Sequence, residues 1–189
     1  MSITSVKSGA TGISLALDNN FMEPIATTLV GSTTVNVVTF NDIPQTYKHL
    51  QIRAISRRTG SSSSGATDWL RFNGDAGSNY SWHYLQGTGS TAQSGASTSQ
   101  TRAYSIPQPE GGATASAFGG IVIDILDYTN ISKYKTIRSL GGYDLNGDGK
   151  VQLNSSVWLN TDAVVQITLG TDSNNFAQYS RFSLYGIKG

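Results

Sequence analysis

The chain has no cysteine in its 189 residues, which excludes disulfides and thiolate metal sites. Charge is scarce as well: 13% of residues are Asp, Glu, Lys or Arg, against roughly 25% in an average soluble protein. Thirteen basic and twelve acidic residues leave a formal net charge of +1, so there is no electrostatic footprint for nucleic acid or an anionic membrane. No stretch approaches the roughly 18 apolar residues that a membrane-spanning helix needs. The opening "MSITSVKSGATG" lacks a basic region followed by an apolar one, so it does not read as a secretory signal. The sequons at Asn79, Asn130 and Asn154 then have no expected route to glycosylation. Long helical stripes are missing too; "TNISKYK" is expected to form one helical turn at most.

Ser, Thr, Asn, Gln and Gly take the place of the charges, a composition that suits strands better than helices. From Ala26 onward apolar residues recur with period two. In "HLQIRAIS", Leu50, Ile52 and Ala54 share one face, with His49, Gln51 and Arg53 opposite. "TTVNVVTF", "DWLRFN", "YSWHYLQ", "RAYSI", "GGIVIDILDY", "YKTIRSL", "KVQLNSSVWL", "VVQITLG" and "YSRFSLYGIK" read the same way, giving about ten or eleven short strands. The fold expected is all-β, an antiparallel β-sandwich or jelly-roll over residues 25–189. Residues 1–24 are expected to be an N-terminal arm closed by Pro24. Its apolar residues Ile3, Val6, Ile13, Leu15 and Leu17 are candidate partner contacts, either in a loose tail or in a strand laid along a neighbouring subunit. Three segments read as long loops: the Ser/Gly-rich 57–68 and 87–101, and "IPQPEGGATASAFGG", stiffened by Pro107 and Pro109.

Asp144, Asn146 and Asp148, followed by Gly149, match the opening of a calcium loop. Ser155 stands at the twelfth position, where such a loop needs a bidentate carboxylate, and the flanks read as strands. Asn-Gly and Asp-Gly are also hairpin-turn residues, so the stretch is either a turn or a weak calcium site. Beyond calcium, no cofactor is expected. His49 and His83 lie in no catalytic or zinc-binding spacing. Asp124 and Asp127, three apart on a strand, face opposite ways and cannot form a glycosidase pair; no enzymatic activity is expected. Tyr80, Trp82 and Tyr84 share a face at period two. Such a row either packs between sheets or forms a stacking platform for glycan.

Two blocks carry a resemblance. "WLRFNGDAGSNYSWHYLQGTG", Trp69 to Gly89, and the closing "NFAQYSRFSLYGIKG", Asn175 to Gly189, resemble segments of a group of tailed-bacteriophage virion proteins, as do "TYKHLQIRAISR" and "YKTIRSL". The resemblance implies a non-enzymatic structural component of the virion, assembled in the host cytoplasm. A capsid decoration or cement protein on the head is the first expectation, and a tail-fibre or receptor-binding module recognising host glycan the alternative. The implied partners are the major capsid protein or another virion protein, and further copies of the chain, with a trimer suiting a threefold lattice position. The calcium-like turn is not part of this resemblance.

Overall fold

The computed structural model describes residues 21–189. Its strands are β1 (Met22–Leu29), β2 (Val37–Phe40), β3 (His49–Ser56), β4 (Gly65–Phe72), β5 (Tyr80–Gly87), β6 (Ala92–Gln100), β7 (Ala103–Pro109), β8 (Gly119–Leu126), β9 (Lys135–Asp144), β10 (Gly149–Trp158), β11 (Ile167–Gly170) and β12 (Arg181–Ile187). All strand pairs are antiparallel, and the described residues contain no helix. They form an eight-stranded sheet, ordered β1-β12-β3-β8-β9-β10-β5-β6, and a four-stranded sheet, ordered β2-β11-β4-β7. The arm residues Ile3, Val6, Ile13, Leu15 and Leu17 lie outside the described residues.

Register fixes what the large sheet turns inward. One row of cross-strand neighbours reads Leu184, Ile52, Ile123, Ser139, Asn154, Tyr84; the next reads Phe182, Ala54, Ile121, Gly141, Gln152, Gln86. Each runs from aliphatic residues on β12, β3 and β8, through small or polar ones on β9 and β10, to half-buried residues on β5. The aliphatic end joins Val38, Phe40, Leu70, Phe72, Ile167 and Leu169 of the small sheet in one core. The polar middle is buried as well, and burying amides costs free energy unless they are hydrogen-bonded. Here they are: Thr67 Oγ1 donates to Gln152 Oε1 (2.9 Å), Gln152 Nε2 to Asn154 Oδ1 (2.7 Å), and Asn154 Nδ2 to Ser139 Oγ (2.9 Å).

Several expected loops are strands. Ser/Gly-rich residues 92–100 form β6, an edge strand with no apolar stripe of its own to betray it. Pro107 and Pro109 lie within β7, also an edge strand, where a missing N–H breaks no ladder. Pairing begins at Met22, ahead of Pro24, which sits on edge strand β1 beside a register shift. "TNISKYK" is turn without helix. The expected loop at 57–68 ends early, since Gly65 to Asp68 belong to β4. The connection that remains is anchored at its start: Arg57 is buried, and its guanidinium donates to the carbonyls of Gly111, Ala113, Thr114 and Ala117 at 2.7–2.9 Å. One cation thereby organises the chain between β7 and β8.

The blocks "TYKHL" and "SLYGIK" meet in space. The Tyr47 ring lies on Gly186 so closely that a Cβ there would stand 2.3 Å from ring carbons. The ring is held in place because Tyr47 Oη donates to Glu23 Oε2 (2.9 Å), and Glu23 also pairs with Lys188. Gly186→Ala is expected to destabilise the protein by about 1–3 kcal/mol through overpacking. Removing the ring with Tyr47→Ala in the same chain should recover part of that loss. A double-mutant cycle by urea denaturation measures the coupling.

Candidate docking face and aromatic trough

Asp144 to Gly149 is the hairpin turn joining β9 to β10. Asn146 and Gly147 take positive φ, 61° and 122°. The turn uses one oxygen of each aspartate: Asp144 Oδ1 accepts the Asn146 N–H and Asp148 Oδ1 the Gly149 N–H, each at 2.7 Å. Lys150 lines the same shallow cavity as Asp144 and Asp148. Burial lowers the pKa of its ammonium, against an opposing pull from Asp148. An ammonium beside these carboxylates opposes a second cation. Among the described residues, no three of His, Asp and Glu gather as metal ligands.

The aromatic row divides. Tyr80 is fully buried and does not contribute to a platform. Its hydroxyl accepts the Phe72 N–H (2.9 Å), and its ring stacks on Trp158 at 6.4 Å. Trp158 Nε1 in turn donates to Asp75 Oδ2 (2.6 Å). Burial would raise the Asp75 pKa, but hydrogen bonds from Asn79, Trp158 and Gly77 outweigh it and hold the carboxyl below its ordinary value. Asn73 Oδ1 accepts from the N–H groups of Val165 and Gln166. The "RFNGDAGSNY" block is therefore a structural staple. Trp82 and Tyr84 differ from Tyr80: both are half-buried and line an open trough with Thr67, Gln86, Tyr104 and Gln152.

The opposite face of the large sheet carries a feature that the sequence reading missed. Val122, Leu140, Leu153 and Leu85 are direct cross-strand partners on β8, β9, β10 and β5. They are 38%, 56%, 50% and 57% exposed, and Val151 beside them is 63% exposed. The adjoining row, Gly120, Gly142, Val151 and Gly87, is largely without side chains. A polar row flanks the stripe: Gln51, Asp124, Arg138, Ser155 and His83. The available signal was a phase change inside "KVQLNSSVW". Val151 and Leu153 fall on one face and Trp158 on the other, so one apolar set must face away from the core.

The most perturbed carboxyl lies apart from both surfaces. Asp68 is fully buried, 3.3 Å from Arg58 Nη1, which also pairs with Glu110 (3.4 Å). Gln108 donates to its other oxygen. Burial pushes the Asp68 carboxyl up to about 7, against the opposing pull of Arg58. No substrate can reach it, so this group serves the fold. His49 Nδ1 accepts the Asp127 N–H (2.9 Å), which gives that histidine a structural role. Asp127 itself is held at about 2 by hydrogen bonds from Lys133 and Lys48.

A folded pKa raised above the unfolded value means that the folded state keeps its proton longer. The Asp68 contribution is therefore most favourable below about pH 4, falls as pH rises, and is lost by about pH 7. The change amounts to up to about 4 kcal/mol. Measured by urea denaturation from pH 4 to 8, wild type should lose stability relative to Asp68→Asn across that window; a constant difference would contradict the assignment. Comparison with protein-family models and with curated proteins gives no match to this chain.

Proposed function

We propose that this chain is a non-enzymatic structural protein of a tailed-bacteriophage virion, a decoration or cement protein on the head surface. Its two sheets act as a β-sandwich block, made in the host cytoplasm and carried on the particle. The observation that carries the reading is the exposed stripe Val122, Leu140, Leu153, Leu85 with Val151. A contiguous apolar patch on a water-facing sheet marks an interaction site. Gly87, Gly120 and Gly142 keep the neighbouring surface low, which suits a broad protein surface better than a narrow peptide. The flanking Asp124 and Arg138 supply a rim of both signs, as specific interfaces have.

The occupant on this reading is the major capsid protein. Copies set around a local threefold axis, as trimers, would place equivalent stripes on equivalent lattice positions. Backbone pairing within an antiparallel sheet gives a rigid block without disulfides, in keeping with a protein that holds a shell together. The resemblance of the "LRFNGD…NY" and "SLYGIK" blocks to virion proteins supports a structural role on the particle, on head or tail alike.

Particles lacking the protein provide the test. Wild type should co-sediment with them, whereas the variant carrying Leu140→Lys and Leu153→Glu, opposite charges on two cross-strand partners, should bind at least about tenfold more weakly. Both side chains are exposed, so its melting temperature should stay close to wild type. Undiminished binding by the folded variant would overturn the proposal. So would loss of self-association, seen by light scattering, with particle binding intact, since the stripe would then join copies to one another.

A further inference from the structure

The trough on the other side of the large sheet has a shape and lining of its own. It arises because β7, an edge of the small sheet, lies across β8, β9, β10 and β5. The far side of the large sheet ends in β5 and β6. There the inward face of β5 is only half covered, and a cavity of about 340 Å³ opens between Trp82, Tyr84 and Gln86 of β5, Gln152 of β10, Tyr104 of β7 and Thr67 of β4. That volume is near the lower end of the roughly 300–1,000 Å³ of small-molecule sites.

Three aromatic rings define its walls. Trp82 lies 5.9 Å from Tyr84 with 33° between planes, and 5.2 Å from Tyr104 with 54° between planes. The tilts make an angled trough rather than a flat shelf. Tyr84 is held against its cross-strand partner Gly95, where a Cβ would stand 2.7 Å from the ring. The polar lining is amide, hydroxyl and the Trp82 indole N–H, none of the six lining side chains carries a charge at neutral pH, and the Tyr104 hydroxyl donates to Asp172 Oδ2 (3.3 Å). Gln152 is fixed through Thr67 and Asn154, and Gln86 donates to Gln93 Oε1 (2.6 Å). Among the described residues Trp82 Nε1 has no hydrogen-bond partner.

We propose that this trough binds a neutral hexopyranose unit of a glycan. An aromatic face takes the apolar C–H face of a pyranose ring, while amides and phenol hydroxyls, which both donate and accept, match its hydroxyl groups. No lining side chain is a cation, and Arg102, which reaches the Tyr104 hydroxyl, is paired with Asp172 (2.8 Å), so acidic sugars are discriminated against. Trp82 is the stacking residue, Tyr84 and Tyr104 flank it, and Gln86 addresses hydroxyls, while Gln152, buried and bonded to Thr67 and Asn154, only lines the trough. Gly95 is a positioning residue that sets the Tyr84 ring. The site is independent of the docking stripe, because side chains at Trp82 and Leu85 leave opposite faces of β5. Free protein is used below, so either reading can fail without the other.

Full-length protein is titrated with the methyl pyranosides of glucose, galactose, mannose and N-acetylglucosamine and with their neutral linear trisaccharides. Sialyllactose and trigalacturonate are the charged comparison. Tryptophan fluorescence and calorimetry report binding. At least one neutral sugar should bind and perturb the emission, with the charged pair at least about tenfold weaker. Gly95→Ala should shift the Tyr84 ring and weaken binding several-fold at unchanged melting temperature, and Gln86→Ala should do likewise. These two variants keep the test valid if Trp82→Ala fails to fold. The proposal is overturned if no neutral sugar binds, if acidic sugars bind best, or if binding is unaffected in the folded Gly95→Ala and Gln86→Ala proteins.

Discussion

An eight-stranded sheet is covered by one half as wide, and most of what this molecule presents to its surroundings follows from that inequality. Four strands can bury only part of the larger sheet's inner face. The inner rows are graded to suit: aliphatic where the cover is complete, amide and hydroxyl toward its margin, aromatic where cover runs out. The hydrogen-bonded chain Thr67, Gln152, Asn154, Ser139 pairs the amides buried at the margin, while Ser156 Oγ and Trp82 Nε1 beside it have no partner among the described residues. Buried cations do similar work at the ends. Arg57 collects four carbonyls and Lys135 three, from Asn130, Lys133 and Thr161.

The same inequality leaves two surfaces of different chemistry on opposite sides of one sheet. The water-facing side holds an aliphatic stripe suited to a broad apolar partner. The inward side, past the cover, holds an uncharged aromatic trough suited to a small polar ring with an apolar face. Both are built on strand residues held in the ladders, with Tyr104 on an edge strand, so neither needs a loop to order itself on binding. A protein fixed to a shell by one side of a sheet would keep the other side free to meet what lies outside.

Much of the architecture was legible as period-two alternation. β3 reads correctly residue by residue, with Leu50, Ile52 and Ala54 inward. The antiparallel all-β class and the absence of helix among the described residues agree with that pattern. Strands without an apolar face were not legible: β6 consists of Ala, Gln, Ser, Gly and Thr, and nothing in such a run distinguishes an edge strand from a loop. Nor does alternation say which face is inward. In β10 the polar residues Gln152, Asn154 and Ser156 are buried while Val151 and Leu153 are exposed, because a polar layer waits opposite them. The aromatic period in β5 was clear, but its division into one core residue and two trough residues depends on where β7 ends its cover. Tyr104 and Gln152 come from distant segments and could join the trough only through tertiary structure.

The central claim is that the aliphatic stripe is the side by which this protein holds to a particle. Hydroxyl-radical footprinting, read by mass spectrometry on free and particle-bound protein, tests it most directly. Oxidation of Leu85, Leu140, Val151 and Leu153 should fall sharply on attachment, while Trp82 and Tyr104 keep the labelling they have in solution. Equal labelling of those aliphatic side chains in the two states, or shielding confined to the aromatic side, would contradict the account.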